Sequence, residues 1–253
     1  MDIKRPNYKV FATLLDSFWG YLNSDVTYYH YWGFSENPPH TEDEFHEQKF
    51  QDLINTINRV PFENEAADKG TAFNEIIDAL IEKRKPNNME VERSEDGFYI
   101  VKYKDYTFNF PVEVCKRLSD YYKDAISQSY TEAILPTRYG DVLLYGYIDE
   151  LMPMSVHDIK TTGSYSVGKF KQNHQHLVYP YALMESGNDV KTFEYNVVEW
   201  ARGGGVSGVY TETYVFDRER DIPILRDHVE QLIEFLEDNR HLITNKKIFA
   251  EDE

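Results

Sequence analysis

Three side chains near the middle of the chain have the types and spacing to do chemistry. They are Asp149, Asp158 and Lys160, within GYIDELMPMSVHDIKTT at residues 146 to 162. Asp158 and Lys160 lie two apart, so on a strand they share one face while Ile159 takes the other. Asp149 closes the strand-like run VLLYGYID and precedes Asp158 by nine positions, so two strands joined by a tight turn would bring both carboxylates together. Hard cations such as Mg²⁺ and Mn²⁺ take oxygen ligands, and paired carboxylates supply oxygen and charge at once. A lysine aimed at the same place can hold or deprotonate a water, or neutralise charge growing on a phosphate. Metal and lysine beside a phosphate are the equipment of phosphodiester hydrolysis. Taken alone, a D-x-K is more often a solvated strand face, so the surroundings decide.

The elements that must position these residues follow from periodicity. Residues 8 to 22 read as a helix rich in apolar and aromatic side chains, and 34 to 47, with Pro38 and Pro39, as containing a loop. A helical pattern over 50 to 60 ends before Pro61. Phe73, Ile76, Ile77, Leu80 and Ile81 then form one helical stripe over 69 to 85, stopped by Pro86. Residues 89 to 110 alternate and predict a hairpin, and 111 to 129 predict a helix. Residues 131 to 151 give two strands about a turn at 136 to 141, and 155 to 162 give the D-x-K strand. A loop over 163 to 174 leads to a helix closed by Gly187. Strands over 191 to 200 and 208 to 217 flank Gly203, Gly204 and Gly205, which predict a hairpin turn. Leu225, Val229, Leu232, Ile233 and Leu236 mark a last amphipathic helix. No repeat, low-complexity tract or linker interrupts this order, so one α/β domain over 1–253 is expected.

Four short motifs occur in a fixed order: Gly70-Thr71-Ala72-Phe73-Asn74-Glu75, then Gly146 to Asp149, then Asp158 to Lys160, then Gln175 with Tyr179 on a helix. That order, across residues 61 to 183, resembles the PD-(D/E)XK nuclease superfamily, in particular its RecB-like and phage exonuclease-like branch. The resemblance implies a central mixed β-sheet flanked by helices, a restriction-endonuclease-like core. That core would span 61–200, with a helical N-terminal extension over 1–60 and a C-terminal strand and helix over 201–253. It implies Asp149 and Asp158 as ligands of Mg²⁺ or Mn²⁺, with the Ile159 carbonyl, and Lys160 as the catalytic lysine. Gln175 and Tyr179, one turn apart, would position the motif or contact the DNA backbone. The activity implied is a DNA exonuclease of recombination, repair or phage DNA processing, with recombination or replication proteins as further partners. The first motif departs from the family pattern, which carries His or Glu where this chain has Asn74. Either Asn74 is a neutral, weaker ligand, or Glu75 or Asp78 replaces it after a small helix rotation. The alternative is a catalytically weakened nuclease-like module that binds DNA or protein.

Composition bears on these expectations. The formal charge is −17, from 44 Asp and Glu against 27 Lys and Arg. A protein that coats nucleic acid should be basic, because phosphate neutralisation drives such binding. An acidic chain can still act on DNA where a few basic groups and a metal offset its carboxylates. The single cysteine, Cys115, excludes an internal disulfide and any cysteine-ligated cluster. The start lacks the apolar segment of a signal peptide, and no run of about 18 apolar residues exists, so a cytoplasmic location without a membrane span is expected. Glu132 is a further acid near the carboxylate pair. Lys169 and Lys171, after the D-x-K, are either phosphate contacts or plain solubility charges. His174 and His176 have no partner at zinc spacing.

Overall fold

A computed structural model describes residues 5–202 and 204–251. Its central strand is β6 (Gly140–Met152), and everything that positions the Asp149 region follows from how the two edges of β6 are used. On one edge β5 (Ile126–Thr137) pairs antiparallel along nearly the full length, from Ile126 against Leu151 to Thr137 against Gly140. The other edge is divided. Strand β1 (Tyr8–Phe11) runs parallel against Val142 to Tyr145, whereas β7 (Ser155–Thr162) runs antiparallel against Glu150 to Met152. A strand has only two edges, so β1 and β7 must part company between Tyr145 and Glu150. The sheet forks there.

Beyond the fork, β7 pairs parallel with β8 (Thr192–Trp200), and β8 pairs antiparallel with β9 (Val206–Val215). The result is a six-stranded mixed sheet. A separate three-stranded antiparallel sheet is made by β2 (Glu90–Arg93), β3 (Phe98–Tyr103) and β4 (Tyr106–Pro111).

Seven α-helices cover these sheets among the described residues. Helices α1 (Ala12–Leu22), α3 (Glu42–Ile57), α6 (Gln175–Glu185) and α7 (Arg218–Asp238) share one core, in which Leu14, Ile57, Val178 and Leu232 are fully buried. Helices α4 (Glu65–Ile81) and α5 (Val112–Tyr121) and the small sheet enclose a second core around Phe73, Phe110, Cys115, Ile159 and Val198. Each fully buried side chain of this size contributes about 1.5–3 kcal/mol by leaving water. Along β7 the alternation is visible in the packing: Val156 belongs to the first core and Ile159 to the second. Asp158 and Lys160 therefore share a face with Val156, as their spacing predicts.

The α/β class and the mixed sheet between helices agree with the sequence. Several boundaries differ, for identifiable reasons. Tyr8–Phe11 is a strand, not the first turn of a helix over 8 to 22, because its partner in β6 supplies the hydrogen bonds that its own sequence does not signal. The described part of residues 1 to 60 is mainly helical, as expected, but it also contributes strand β1 to the sheet. Helix α2 (Ser24–Trp32) carries no periodic signal in the sequence, because its apolar residues do not gather on one side. Helix α3 starts at Glu42 on a capping box of Thr41 and Glu44, inside the segment expected to contain a loop. The helix expected over 111 to 129 ends at Tyr121, and the alternating Ile126 to Thr131 stretch belongs to β5. Helix α4 opens at Asn64, which caps Ala66 and Ala67, so Gly70 lies within the helix. Gly204 and Gly205 do lie in the β8–β9 hairpin turn, while Gly203 and the first four residues fall outside the described residues. No described helix is long and apolar enough to cross a membrane.

Candidate active site

The fork opens a cavity of about 400 Å³. Its floor is Asp149 from β6 with Asp158, Ile159 and Lys160 from β7; Asn74 comes from α4, and Gln175 and Tyr179 from α6. The register explains the carboxylate pair. Glu150 faces His157 and Leu151 faces Val156, so one step further Asp149 comes opposite Asp158, just where the pairing ends. The two acids sit on adjacent strands at the point where the strands begin to separate.

Lys160 and Asp158 are locked together. The lysine Nζ forms an ion pair with Asp158 Oδ2 at 2.8 Å and donates to Asp158 Oδ1 at 3.1 Å and to Gln175 Oε1 at 2.7 Å. Gln175 Nε2 in turn donates to Asp158 Oδ1 at 3.0 Å. Gln175 is buried and thus closes a triangle, satisfying both ends of its amide on the motif. Burial alone would lower the Lys160 pKa, but the Asp158 carboxylate against it more than offsets this, and the net shift is upward. Lys160 is an ammonium. Burial, then the charge of Asp158, pushes Asp149 up to about 8.

Asp149 Oδ2 accepts the Ile159 N–H at 3.3 Å. Asn74 Nδ2 lies 3.4 Å from both Asp149 Oδ2 and the Ile159 carbonyl oxygen, while Asn74 Oδ1 is buried without a hydrogen-bond partner. An amide rotated by half a turn would exchange the two ends at no change in shape. Two carboxylates, a main-chain carbonyl and an amide oxygen without a partner are all hard oxygen donors, and they fit a divalent cation of the Mg²⁺ or Mn²⁺ kind. Among the described residues, no three His, Cys, Asp or Glu side chains gather as a ligand set, so the amide and the carbonyl matter here.

The glycines of the motifs are explained by close approach. A Cβ on Gly146 would come 2.8 Å from the Tyr179 hydroxyl and ring edge, so only glycine lets α6 lie this near β6. A Cβ on Gly70 would come 3.1 Å from Thr161 Oγ1, where α4 crosses β7. Each motif glycine thus packs on another motif. Tyr179 is buried, and that burial raises its pKa and keeps it a neutral phenol. Where β1 passes into α1, Ala12 and Thr13 line the cavity, and no side chain caps that helix N-terminus. Its exposed N–H dipoles favour a bound anion.

Other expected residues lie elsewhere. Glu75 is not a ligand candidate in this geometry: it pairs with Arg84 and accepts the Asn87 N–H. Asp78 is buried outside the cavity lining, accepting from Gln128 at 3.2 Å beside Glu150, whose pKa burial pushes up to about 9. Glu132 is exposed and accepts from Tyr130 at 2.5 Å. Lys169 ties the loop down through Thr162 Oγ1 and the Ser164 carbonyl, both at 2.6 Å. Lys171 lines a different cavity. His174 stacks on His228 and His176 on Tyr214. Three cavity residues gave no sequence signal: Arg59, Tyr145 and Tyr147. Arg59 follows α3 with a positive φ of 57°, and nothing in its neighbours marks it.

No protein-family profile matches the chain, and no curated protein matches it. The solved structure of SSO0001 is similar at a TM-score of 0.42 and 10% identity, over 90% of this chain and 78% of that one.

Proposed function

We propose that the protein is a Mg²⁺- or Mn²⁺-dependent DNA nuclease, an exonuclease of recombination, repair or phage DNA processing. The observation that carries this reading is the convergence of Asp149, Asp158 and Lys160 on one cavity at a sheet fork, with Gln175 holding the last two. The motif order resembling PD-(D/E)XK nucleases supports it.

Asp149, Asp158, Asn74 and the Ile159 carbonyl would hold the cation. When bound, the cation supplies Lewis-acid polarisation of a phosphate oxygen and acidifies a water. Lys160, kept charged by Asp158, donates hydrogen bonds to oxygens on which negative charge grows in the transition state. Gln175 fixes the direction of that donation. The uncapped start of α1 adds main-chain N–H groups on the same cavity, suited to a phosphate's remaining oxygens. Tyr179, against Gly146, holds α6 and therefore Gln175 in register with β7.

Asn74 favours a second reading, a weakened nuclease-like module, because a neutral amide replaces the family's charged or imidazole ligand. End-labelled single- and double-stranded DNA, incubated with Mg²⁺, Mn²⁺ or EDTA, separates the two. The nuclease reading expects cleavage that needs the metal and vanishes in Lys160→Ala, with metal binding retained by calorimetry. A lysine variant that cuts at the parental rate would sink it, and metal-independent binding without cleavage would favour the module.

A further inference from the structure

The fork cavity does not end at the carboxylates. Phe11, Arg59 and Tyr145 line both it and a second cavity of about 390 Å³, whose far side is built from Lys9, Asn245, Lys247 and Ile248. Arg59 is the shared wall: its guanidinium lies 3.6 Å over the Phe11 ring and donates to the Tyr145 hydroxyl at 3.0 Å. In a chain with 44 acidic and 27 basic side chains, cations are normally paired. Yet both Arg59 and Lys247 are exposed, and no carboxylate of the described residues pairs with either. Their charge is available to a ligand.

Aromatic surface lies on the same cavity. Tyr147 is 59% exposed and lines the fork, and Tyr130, 49% exposed, stands beside it with ring centroids 5.3 Å apart. Rings this exposed on a strand face leave much of their apolar surface in water. Rings gain base-stacking energy only from a strand whose bases are unpaired; in a duplex the base faces are already stacked on each other. Cations unpaired by carboxylates for phosphates and open rings for bases, placed along two adjoining cavities, are what sequence-tolerant single-strand binding requires.

We infer that this surface is a track for single-stranded DNA, with Tyr147 stacking a base next to the fork and Arg59 and Lys247 meeting the phosphates that lead away from it. Because the reacting phosphate lies at the fork only under the nuclease reading, the track as a substrate path rests on that reading; the binding itself does not. The test is fluorescence anisotropy of a labelled oligo-dT strand and a blunt duplex of equal length, in EDTA and again in Ca²⁺. Parent, Tyr147→Ala and Lys247→Ala proteins are compared, with circular dichroism to check that these exposed substitutions leave the fold intact. The expected result is tighter binding of the single strand than of the duplex. Tyr147→Ala should weaken it at least about fivefold, and Lys247→Ala should lower the salt dependence by about one phosphate contact. Equal or tighter duplex binding, absence of single-strand binding in both conditions, or two variants that bind like the parent would each overturn the track. Cleavage is not read, so a protein that binds single strands but cuts nothing leaves the track standing and sinks the nuclease. One that cuts duplex DNA with no response to these variants does the reverse.

Discussion

At the residue scale the site is held by one amide. Lys160 has four rotatable bonds, and Asp158 alone would leave its ammonium free to swing. Gln175 removes that freedom from α6, donating to Asp158 and accepting from Lys160. Gln175→Ala should therefore lower kcat about 10- to 100-fold, in the range of other outer-shell partners, while shifting metal affinity less than Asp158→Ala does. Steady-state kinetics and calorimetry on both variants check this, and an unchanged kcat would return Gln175 to a packing role. A second consequence concerns pH. Asp149 rises from the ordinary range near 4 to about 8, through burial and the Asp158 charge. A carboxyl raised in the folded state stabilises below its unfolded pKa, and that contribution is lost as pH climbs to the folded value. Metal-free protein should thus melt at lower temperature as pH rises from about 4 to 8, with Mn²⁺ reversing the loss. Glu150, at about 9, acts in the same direction, so Asp149→Asn should remove only part of the slope. A flat profile in the parent would contradict the burial of these acids. The carboxylates and lysine were legible in the sequence because their types carry their chemistry. Arg59 and Tyr147 were not, since an arginine after a helix and a tyrosine in a strand are ordinary until the fold sets them beside a cavity.

At the element scale the fork does the positioning, and it depends on helices that approach strands closely. Gly146 is the tightest such point, with the Tyr179 hydroxyl where its Cβ would go. Gly146→Ala should destabilise by about 1–3 kcal/mol through overpacking, read as a lower midpoint in urea. It should also reduce activity by moving α6 and Gln175. Full stability in that variant would mean that α6 can shift freely, against the buried packing of Val178 and Tyr179. The β5–β6–β7 meander was readable because alternation and tight turns are local signals. Strand β1 was not: YKVF runs straight into the apolar start of α1, and only its parallel pairing with Val142 to Tyr145 makes it extended. Strand β1 makes half of the fork, because it takes the part of the β6 edge that β7 leaves, and it delivers the N-terminus of α1 to the cavity. Glu75 failed for a different reason. The helical wheel places it one position from Asn74, but Arg84 and the Asn87 N–H hold it on the far side.

At the scale of the whole molecule the −17 charge sets how DNA can be held. A basic coat protein neutralises many phosphates, and its affinity collapses with salt. Here three cations of the adjoining cavities would meet phosphates: Lys160 at the fork, already ion-paired with Asp158, then Arg59 and Lys247, which no carboxylate of the described residues pairs. Single-strand affinity falls with a slope of about −0.7 per phosphate contact on a log–log salt plot, so three contacts give a slope of about −2. Between 50 and 200 mM salt that is a loss of only about 16-fold. The surrounding carboxylates repel the rest of the strand, so removing divalent metal should weaken binding further, by uncovering Asp149 and Asp158 beside the phosphate. Anisotropy titrations across salt, with Mn²⁺ under a Lys160→Ala background to prevent cutting, and again in EDTA, test both parts. In that background one contact is lost and the slope should flatten to about −1.4. A slope steeper than about −4 would require a basic surface beyond these cavities. Equal affinity with and without Mn²⁺ would mean that Asp149 and Asp158 hold no cation next to the bound strand.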